Sequence, residues 1–291
     1  MRKTRFQIAK RDVVKTFNES KIRVYTNSDI TNILNDNRHF WRFPINMTVQ
    51  EFVRLLESYT KMTRRKIEFP SNIMNRFSWG EASVIEIAAS LKKDSYFSHY
   101  SAMYIHDLTE QVPKTTYINY EQPPKKVRNA KMVQANIDRA FRRPPRISNN
   151  VALFGDYRIC LLNSKHSNSL GVEEISTKEH GILKVTGIER TLIDIVVRPS
   201  YSGGLSEVLK AYTNAADKVS INKITSMLRK LGHTYPYHQS IGFLMQKSGV
   251  YRKSQIELLK LFEQNYDFYL DYQMGETLYS DEWRIYYPKG F

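Results

Sequence analysis

Thr48-Val49-Gln50-Glu51-Phe52-Val53-Arg54-Leu55-Leu56-Glu57-Ser58-Tyr59-Thr60-Lys61-Met62-Thr63-Arg64-Arg65-Lys66-Ile67-Glu68-Phe69-Pro70-Ser71-Asn72 is the stretch that decides the fold of the first part of the chain. Thr48 and Glu51 stand in the Thr-x-x-Glu relation of a capping box, in which each side chain takes up a backbone N–H that the first turn of a helix leaves without a partner. Val49, Phe52, Val53, Leu55 and Leu56 follow at helical spacing, so a helix with one apolar face begins here. Its polar face offers Gln50, Arg54 and Ser58, each four residues from the next. Residues 64–69 then read as a strand that pairs with 75–79 across the turn formers Pro70-Ser71-Asn72.

Working back toward the amino terminus, residues 6–17 set Phe6, Ile8, Val13, Val14 and Phe17 on a broad helical face, and 22–25 read as a brief strand. Ser28 is positioned to cap a second helix carrying Ile30, Ile33 and Leu34. Three helices followed by a basic hairpin are the order that a winged helix-turn-helix requires. In such a domain Gln50, Arg54 and Ser58 face the bases, Gln suiting adenine and Arg guanine, while Lys61, Arg64, Arg65 and Lys66 clamp phosphates. An ordinary solvated helix face is the other reading of Gln50 and Arg54. The connection Arg38-His39-Phe40-Trp41-Arg42-Phe43-Pro44 exceeds the usual three- or four-residue turn, and its aromatics are expected to anchor it in the core.

The charge is distributed unevenly. Of the net +15, residues 1–150 hold 27 Lys+Arg against 14 Asp+Glu, a balance of +13, and residues 151–291 hold 17 against 15, a balance of +2. A one-sided positive field favours a polyanion, nucleic acid or an anionic surface, and such association weakens with salt; a solubilising surface is the plainer alternative. With 291 residues, 41% of them hydrophobic, the chain can bury a sizeable core, and its length suggests about two domains, expected at 1–82 and 83–291. Neither a signal peptide nor an apolar run long enough to span a bilayer is visible, so no membrane partner and a cytoplasmic location are expected. The single cysteine, Cys160, rules out an internal disulfide and a thiolate zinc cluster; flanked by Ile159, Leu161 and Leu162, it reads as a buried thiol on a strand.

Further on, Ser83 and Glu86 form another capping box ahead of Val84, Ile87, Ala88 and Leu91. Tyr96-Phe97-Ser98-His99-Tyr100-Ser101-Ala102-Met103-Tyr104-Ile105-His106-Asp107-Leu108-Thr109 contains a short helix over 98–106, with His99 and His106 seven apart, a spacing that favours hydrogen-bonding histidines over a metal site. Residues 117–120 read as a strand. Residues 121–150 are the most basic stretch, with Lys125, Lys126, Arg128, Lys131, Arg139, Arg142, Arg143 and Arg146 around a short helix carrying Met132, Ile137 and Phe141. DNA phosphates, an acidic partner surface or plain solvent could each face it. Residues 151–154 and 157–162 form a hairpin through Gly155-Asp156.

Thr186-Gly187-Ile188-Glu189-Arg190-Thr191-Leu192-Ile193-Asp194 opens an amphipathic helix, expected to be capped by Thr186 and Glu189 and stopped by Pro199, with Gly203-Gly204 as the turn into the next helix. Arg190 and Asp194, i and i+4, pair along it. With Lys184 they form either a polar pocket or an internal brace. Helices are expected over 221–231 and around 241–245, and another capped by Ser254 with Glu257; 268–270 and 283–287 read as closing strands.

The blocks at 96–109 and 186–204, together with Leu231-Gly232-His233-Thr234-Tyr235-Pro236-Tyr237-His238-Gln239-Ser240-Ile241-Gly242, resemble the AbiEi family of type IV (abortive infection) toxin-antitoxin systems. The resemblance covers most of the chain, least the basic stretch. It implies an α+β protein with an amino-terminal winged helix-turn-helix and a larger mixed α/β carboxy-terminal antitoxin domain. It also implies repression of its own operon through operator DNA, at inverted repeats, and neutralisation of a nucleotidyltransferase-like toxin, with or without direct contact. No phosphate loop, dinucleotide fingerprint, HExxH, GxSxG or paired-cysteine motif is present, so the expectation is a non-enzymatic regulator without cofactor or metal. Two alternatives stand beside it: an antitoxin that modifies its toxin, for instance by phosphoryl transfer, and a DNA-binding regulator without a toxin.

Overall fold

The computed structural model describes residues 4–125 and 132–291, so Lys126, Arg128 and Lys131 of the basic stretch lie outside the described residues. The chain is α+β and forms two compact units. One comprises Met1–Asp94, Asn150–Ile159 and Ser176–Leu183, the other Ser95–Asn149, Cys160–Ile175 and Lys184–Phe291. Where the sequence suggested a boundary at 82/83, the first unit runs on to Asp94 and takes in two later hairpin ends.

The first unit contains helices α1 (Arg5–Glu19), α2 (Asn27–Asn37), α3 (Val49–Tyr59) and α4 (Val84–Ala89), with strands β1 (Val24–Tyr25), β2 (Met62–Phe69) and β3 (Asn72–Trp79). The strands form one antiparallel sheet in the order β1-β3-β2. Capping decides the helix starts. Thr4 with Gln7, Thr26 with Asp29, Thr48 with Glu51 and Ser83 with Glu86 all form boxes, so α2 is capped by Thr26 and not by Ser28. Thr26 is favoured because the residue three places on is Asp29, whose carboxylate accepts from the Thr26 N–H at 2.7 Å.

Aromatic packing fills this unit. Phe17 stacks on Trp79 at 4.8 Å and meets the edge of Tyr25 at 5.2 Å, while Phe43 lies 5.6 Å from Trp41 and 5.8 Å from Phe52. The long connection ahead of α3 is thus anchored by Trp41 and Phe43, while Phe40 stays exposed. Arg38 braces it by donating to the carbonyls of Pro44 (2.7 Å) and Met47 (3.0 Å). Ile8, expected in the core of α1, is exposed, and Ala9 takes the buried position one residue on. The hairpin pairs Phe69 with Asn72, so its turn is the two residues Pro70-Ser71.

The remaining strands and helices run β4 (Tyr96–Phe97), α5 (His99–Ile105), β5 (Thr115–Glu121), α6 (Gln134–Phe141), β6 (Val151–Phe154), β7 (Tyr157–Ser164), β8 (Val172–Thr177), β9 (Gly181–Thr186), α7 (Ile188–Val197), α8 (Leu205–Ala215), α9 (Ile221–Leu231), α10 (Tyr237–Ser248), α11 (Lys253–Lys260), β10 (Phe268–Tyr269), β11 (Thr277–Ser280) and β12 (Ile285–Pro288). β4 to β9 make a six-stranded sheet ordered β6-β7-β5-β4-β9-β8. In the last sheet β12 lies between β10, parallel to it, and β11, antiparallel. Cys160 is buried on β7, as expected.

Two caps differ from the sequence reading. α7 starts after Gly187 with no side-chain cap; the Thr186 hydroxyl bonds that of Thr191 at 2.8 Å, and Glu189 instead accepts from the Ser220 N–H at 3.0 Å. α11 starts after Arg252, whose N–H donates to Gln255, so Ser254 lies inside the helix. Gly203 has φ +80, and a β-carbon there would press on the Tyr100 ring and the Glu207 stem, which makes glycine the residue for this turn. Among the described residues no helix is long and apolar enough to cross a membrane.

Candidate functional site

On α3 the capping box and the buried Phe52, Val53 and Leu56 turn Gln50, Arg54 and Ser58 outward, and all three are exposed. Arg54 makes no ion pair within 4.0 Å among the described residues, although its charge adds to the Thr48 hydrogen bonds that hold the Glu51 carboxyl below its usual range. The hairpin cations differ from the sequence picture of a bare clamp. Arg64 donates twice to Glu57 of α3, at 3.0 and 3.3 Å. Arg65, largely covered, bonds the Ser78 hydroxyl at 3.0 Å and Glu81 at 3.3 Å, and Lys66 pairs with Glu68 at 2.6 Å. Lys61 is exposed, its ammonium 5.3 Å from the centre of the Trp79 ring. A polyanion arriving here must displace Glu57 to use Arg64 fully. Whether this face meets duplex DNA is tested by Glu57→Gln, which should then strengthen binding by about threefold to tenfold at low salt, read from fluorescence anisotropy titrations. No gain would mean that Arg64 does not face DNA.

The two sequence blocks of the second unit come together. The His106 ring Nε2 donates to the Thr186 carbonyl at 2.7 Å, and Glu207 of α8 accepts from Tyr100 (3.3 Å) and Thr109 (3.1 Å). His99, in a left-handed backbone conformation at φ +52, has its Nδ1 2.9 Å from the Ser98 hydroxyl and its ring edge-on to Tyr201 at 5.4 Å. The His106 bond ties the end of α5 to β9, and the Tyr100 bond ties α5 to α8.

Arg190 and Asp194 are brought together as spacing requires: Nε donates to Oδ1 at 2.8 Å with both side chains largely buried. Arg190 also donates to the Leu170 carbonyl at 2.6 Å and the Ser167 hydroxyl at 3.3 Å. Burial alone would lower the Arg190 pKa, but Asp194 outweighs it and the pKa is raised. Glu121, which no sequence signal marked, closes the network. It accepts from the Ser167 N–H (2.7 Å) and hydroxyl, the Ser169 N–H (3.2 Å) and Tyr96 (3.2 Å). Burial pushes the Glu121 carboxyl up, yet these donors hold it below the usual range. Lys184 is exposed on β9, and the groups that satisfy Arg190 are the three just named. Along the basic stretch, Arg142, Arg143 and Arg146 are exposed, with no carboxylate partner among the described residues.

Three histidines of this unit are poised for acid sensitivity. Burial lowers His99, His233 and His238 to about 4 each. A free imidazole titrates near 6.5, so between these values the unfolded chain binds more protons than the native one. The stability from keeping them neutral is complete above about pH 6.5 and lost as pH falls toward 4. A urea midpoint that drops steeply from pH 7 to pH 5, about 1–2 kcal/mol per histidine, is the expected result.

The folds and sites together define an α+β protein with a small helical, three-stranded unit carrying an exposed polar helix face, and a larger unit built round a buried ionic network. No family model and no curated protein matches the chain. Among solved structures it is similar to the crystal structure of RV2827C protein from Mycobacterium tuberculosis, with a TM-score of 0.59 and 14% identity over 96% of this chain and 90% of that one. At this identity the likeness concerns the fold alone.

Proposed function

We propose that this protein is the antitoxin of a type IV toxin-antitoxin system, one that represses its own operon by binding operator DNA and neutralises a nucleotidyltransferase-like toxin. The observation that carries the DNA half is the exposed row Gln50, Arg54 and Ser58 on α3, next in sequence to a two-stranded hairpin, in the half of the chain that holds +13 of the net charge. In this reading α1 to α3 with β2 and β3 act as a winged helix-turn-helix, α3 in the major groove and the hairpin as the wing. Gln50 and Arg54 read base edges, and Lys61 with the hairpin cations contacts phosphates. The toxin half rests on the resemblance of the 96–109 and 186–204 blocks. Because Arg190 and Asp194 are satisfied by each other, the reading is of a non-enzymatic antitoxin.

The base-reading role has a specific test. Arg54→Ala is expected to cost about 1–3 kcal/mol on the upstream duplex and little on a scrambled one. Equal losses on both would make Arg54 a phosphate contact only. For the toxin half, co-expression with a neighbouring nucleotidyltransferase-like gene is expected to restore growth. Continued toxicity would leave a DNA-binding regulator without a toxin.

A further inference from the structure

Arg198 stands where α7 ends, and Pro199 keeps the chain from continuing the helix. Its side chain is half-buried, yet it makes no ion pair among the described residues. Nη1 donates to the Tyr272 hydroxyl at 3.2 Å and to the Val197 carbonyl at 3.5 Å. Nε and Nη2 donate to nothing among the described residues. These two nitrogens form one edge of the guanidinium, the edge with which Arg64 grips the Glu57 carboxylate. On Arg198 that fork is open. The buried side-chain polar atoms that lack a partner belong to Trp41, His233, His238, Gln239 and Ser240, so Nε and Nη2 are not sealed in and an arriving group can touch them.

Three tyrosines stand around the fork. Tyr272 is stacked on Phe141 at 4.3 Å, and Tyr235 meets the edge of the same ring at 5.3 Å. The Tyr237 ring is buried edge-on against Phe268 at 5.4 Å, with its hydroxyl beside that of Tyr272. The Tyr235 hydroxyl makes no hydrogen bond among the described residues, and the pair Tyr237 and Tyr272 keeps at least one proton to give. Burial by itself would lower the Arg198 pKa, but the fields of Tyr272, Tyr237 and Tyr201 raise it, and burial raises Tyr235 and Tyr237. At physiological pH the group is therefore one cation among protonated hydroxyls.

No counter-charge is supplied from nearby. Asp271, next in sequence to Tyr272, accepts from the Tyr272 N–H at 2.7 Å, and burial raises its pKa, the opposite of what a neighbouring guanidinium would do. The segment that leaves Phe141 carries Arg142, Arg143 and Arg146, all exposed, and the Arg146 carbonyl accepts from the Tyr201 hydroxyl at 3.5 Å. An anion approaching Arg198 meets a positive field.

The hydroxyls narrow the anion. Two parallel N–H donors suit a carboxylate and a phosphate alike. A carboxylate gripped by the fork has no further oxygen for the tyrosines, and a phosphodiester has only two unesterified oxygens, whereas a phosphate monoester has three. We infer that Arg198, Tyr235, Tyr237 and Tyr272 form a binding site for a phosphate monoester, two of its oxygens on the Nε and Nη2 edge and the third on the tyrosine hydroxyls. The site lies wholly within the second unit and does not depend on operator binding.

The test uses the full-length protein with inorganic phosphate and methyl phosphate as probes, and dimethyl phosphate and acetate as contrasts, at matched ionic strength. Both probes are expected to move the Arg198 Nε–H resonance saturably, and both contrasts to leave it nearly in place. Arg198→Lys keeps the charge and removes the fork, so it should weaken phosphate binding about tenfold or more with an unchanged circular dichroism spectrum. Tyr237→Phe keeps the buried ring and removes the hydroxyl, and should weaken the probes while leaving acetate unaffected. An Arg198 resonance that ignores phosphate at tens of millimolar would overturn the inference, as would an equal response to acetate or dimethyl phosphate. The resonance of the unaltered protein decides the matter even if a variant folds poorly.

Discussion

Asp194→Ala is expected to destabilise the second unit by about 3–5 kcal/mol, because it leaves the Arg190 guanidinium buried without a counter-charge. The two groups Arg190 keeps, the Leu170 carbonyl and the Ser167 hydroxyl, accept hydrogen bonds but do not neutralise it. Glu121 adds a favourable field but is itself bound to Ser167, Ser169 and Tyr96. Urea unfolding followed by circular dichroism reads the effect, and a melting temperature lower by roughly 10 °C accompanies it. Replacing the pair together, Arg190→Met with Asp194→Leu, should recover much of the loss, since a well-packed apolar pair removes the desolvation cost of both charges. A loss below about 1 kcal/mol for Asp194→Ala would mean that the pair is solvated and acts as a surface ion pair, against the internal brace described above.

Gly242→Ala should be at least as damaging. Gly242 sits inside α10 with the six-membered ring of Trp283 lying directly over its α-carbon, and an added β-carbon would fall within that ring's van der Waals envelope. The ring cannot yield easily. Trp283 is fully buried, its indole N–H donates to Gln246 and its carbonyl accepts from Gln239. Overpacking a core by one methyl typically costs about 1–3 kcal/mol, and here the obstacle is the largest side chain in the core, so about 3 kcal/mol or more is expected. Glycine in a helix interior otherwise lowers stability relative to alanine by about 1 kcal/mol, so the sign of the change is diagnostic. A stabilised Gly242→Ala protein would show that the indole does not pack on this helix.

Much of the fold could be read from local signals. The capping boxes at Thr48 and Ser83, the i, i+4 pair Arg190–Asp194 and the helix over 221–231 each depend on residues within one or two turns of one another, and each is found where spacing places it. Signals that compete locally were harder to weigh. Ser28 and Thr26 are both good caps, and only the carboxylate of Asp29 favours Thr26. β8 and β9 carry a weak signal because the adjacent exposed Glu173 and Glu174, and the exposed apolar Ile182 beside buried Leu183, break the alternation that marks a half-buried strand. Arg64 and Arg65 look free in the sequence because their partners, Glu57 and Glu81, lie 7 and 16 residues away, beyond any local pattern, whereas Glu68, the partner of Lys66, is its neighbour two places on along β2. For the same reason the Glu121 network could not be seen in the sequence, since it gathers residues from several separate segments.

Binding of the full-length protein to its own upstream DNA and to a scrambled duplex of equal length, across a salt series, tests the central claim most directly. Operator recognition through α3 and the hairpin requires tighter binding to the upstream sequence, with an affinity that falls steeply and linearly on a double-logarithmic plot as salt rises. Equal and weak binding to both duplexes would contradict it and leave the positive charge of the first half as a solubilising surface.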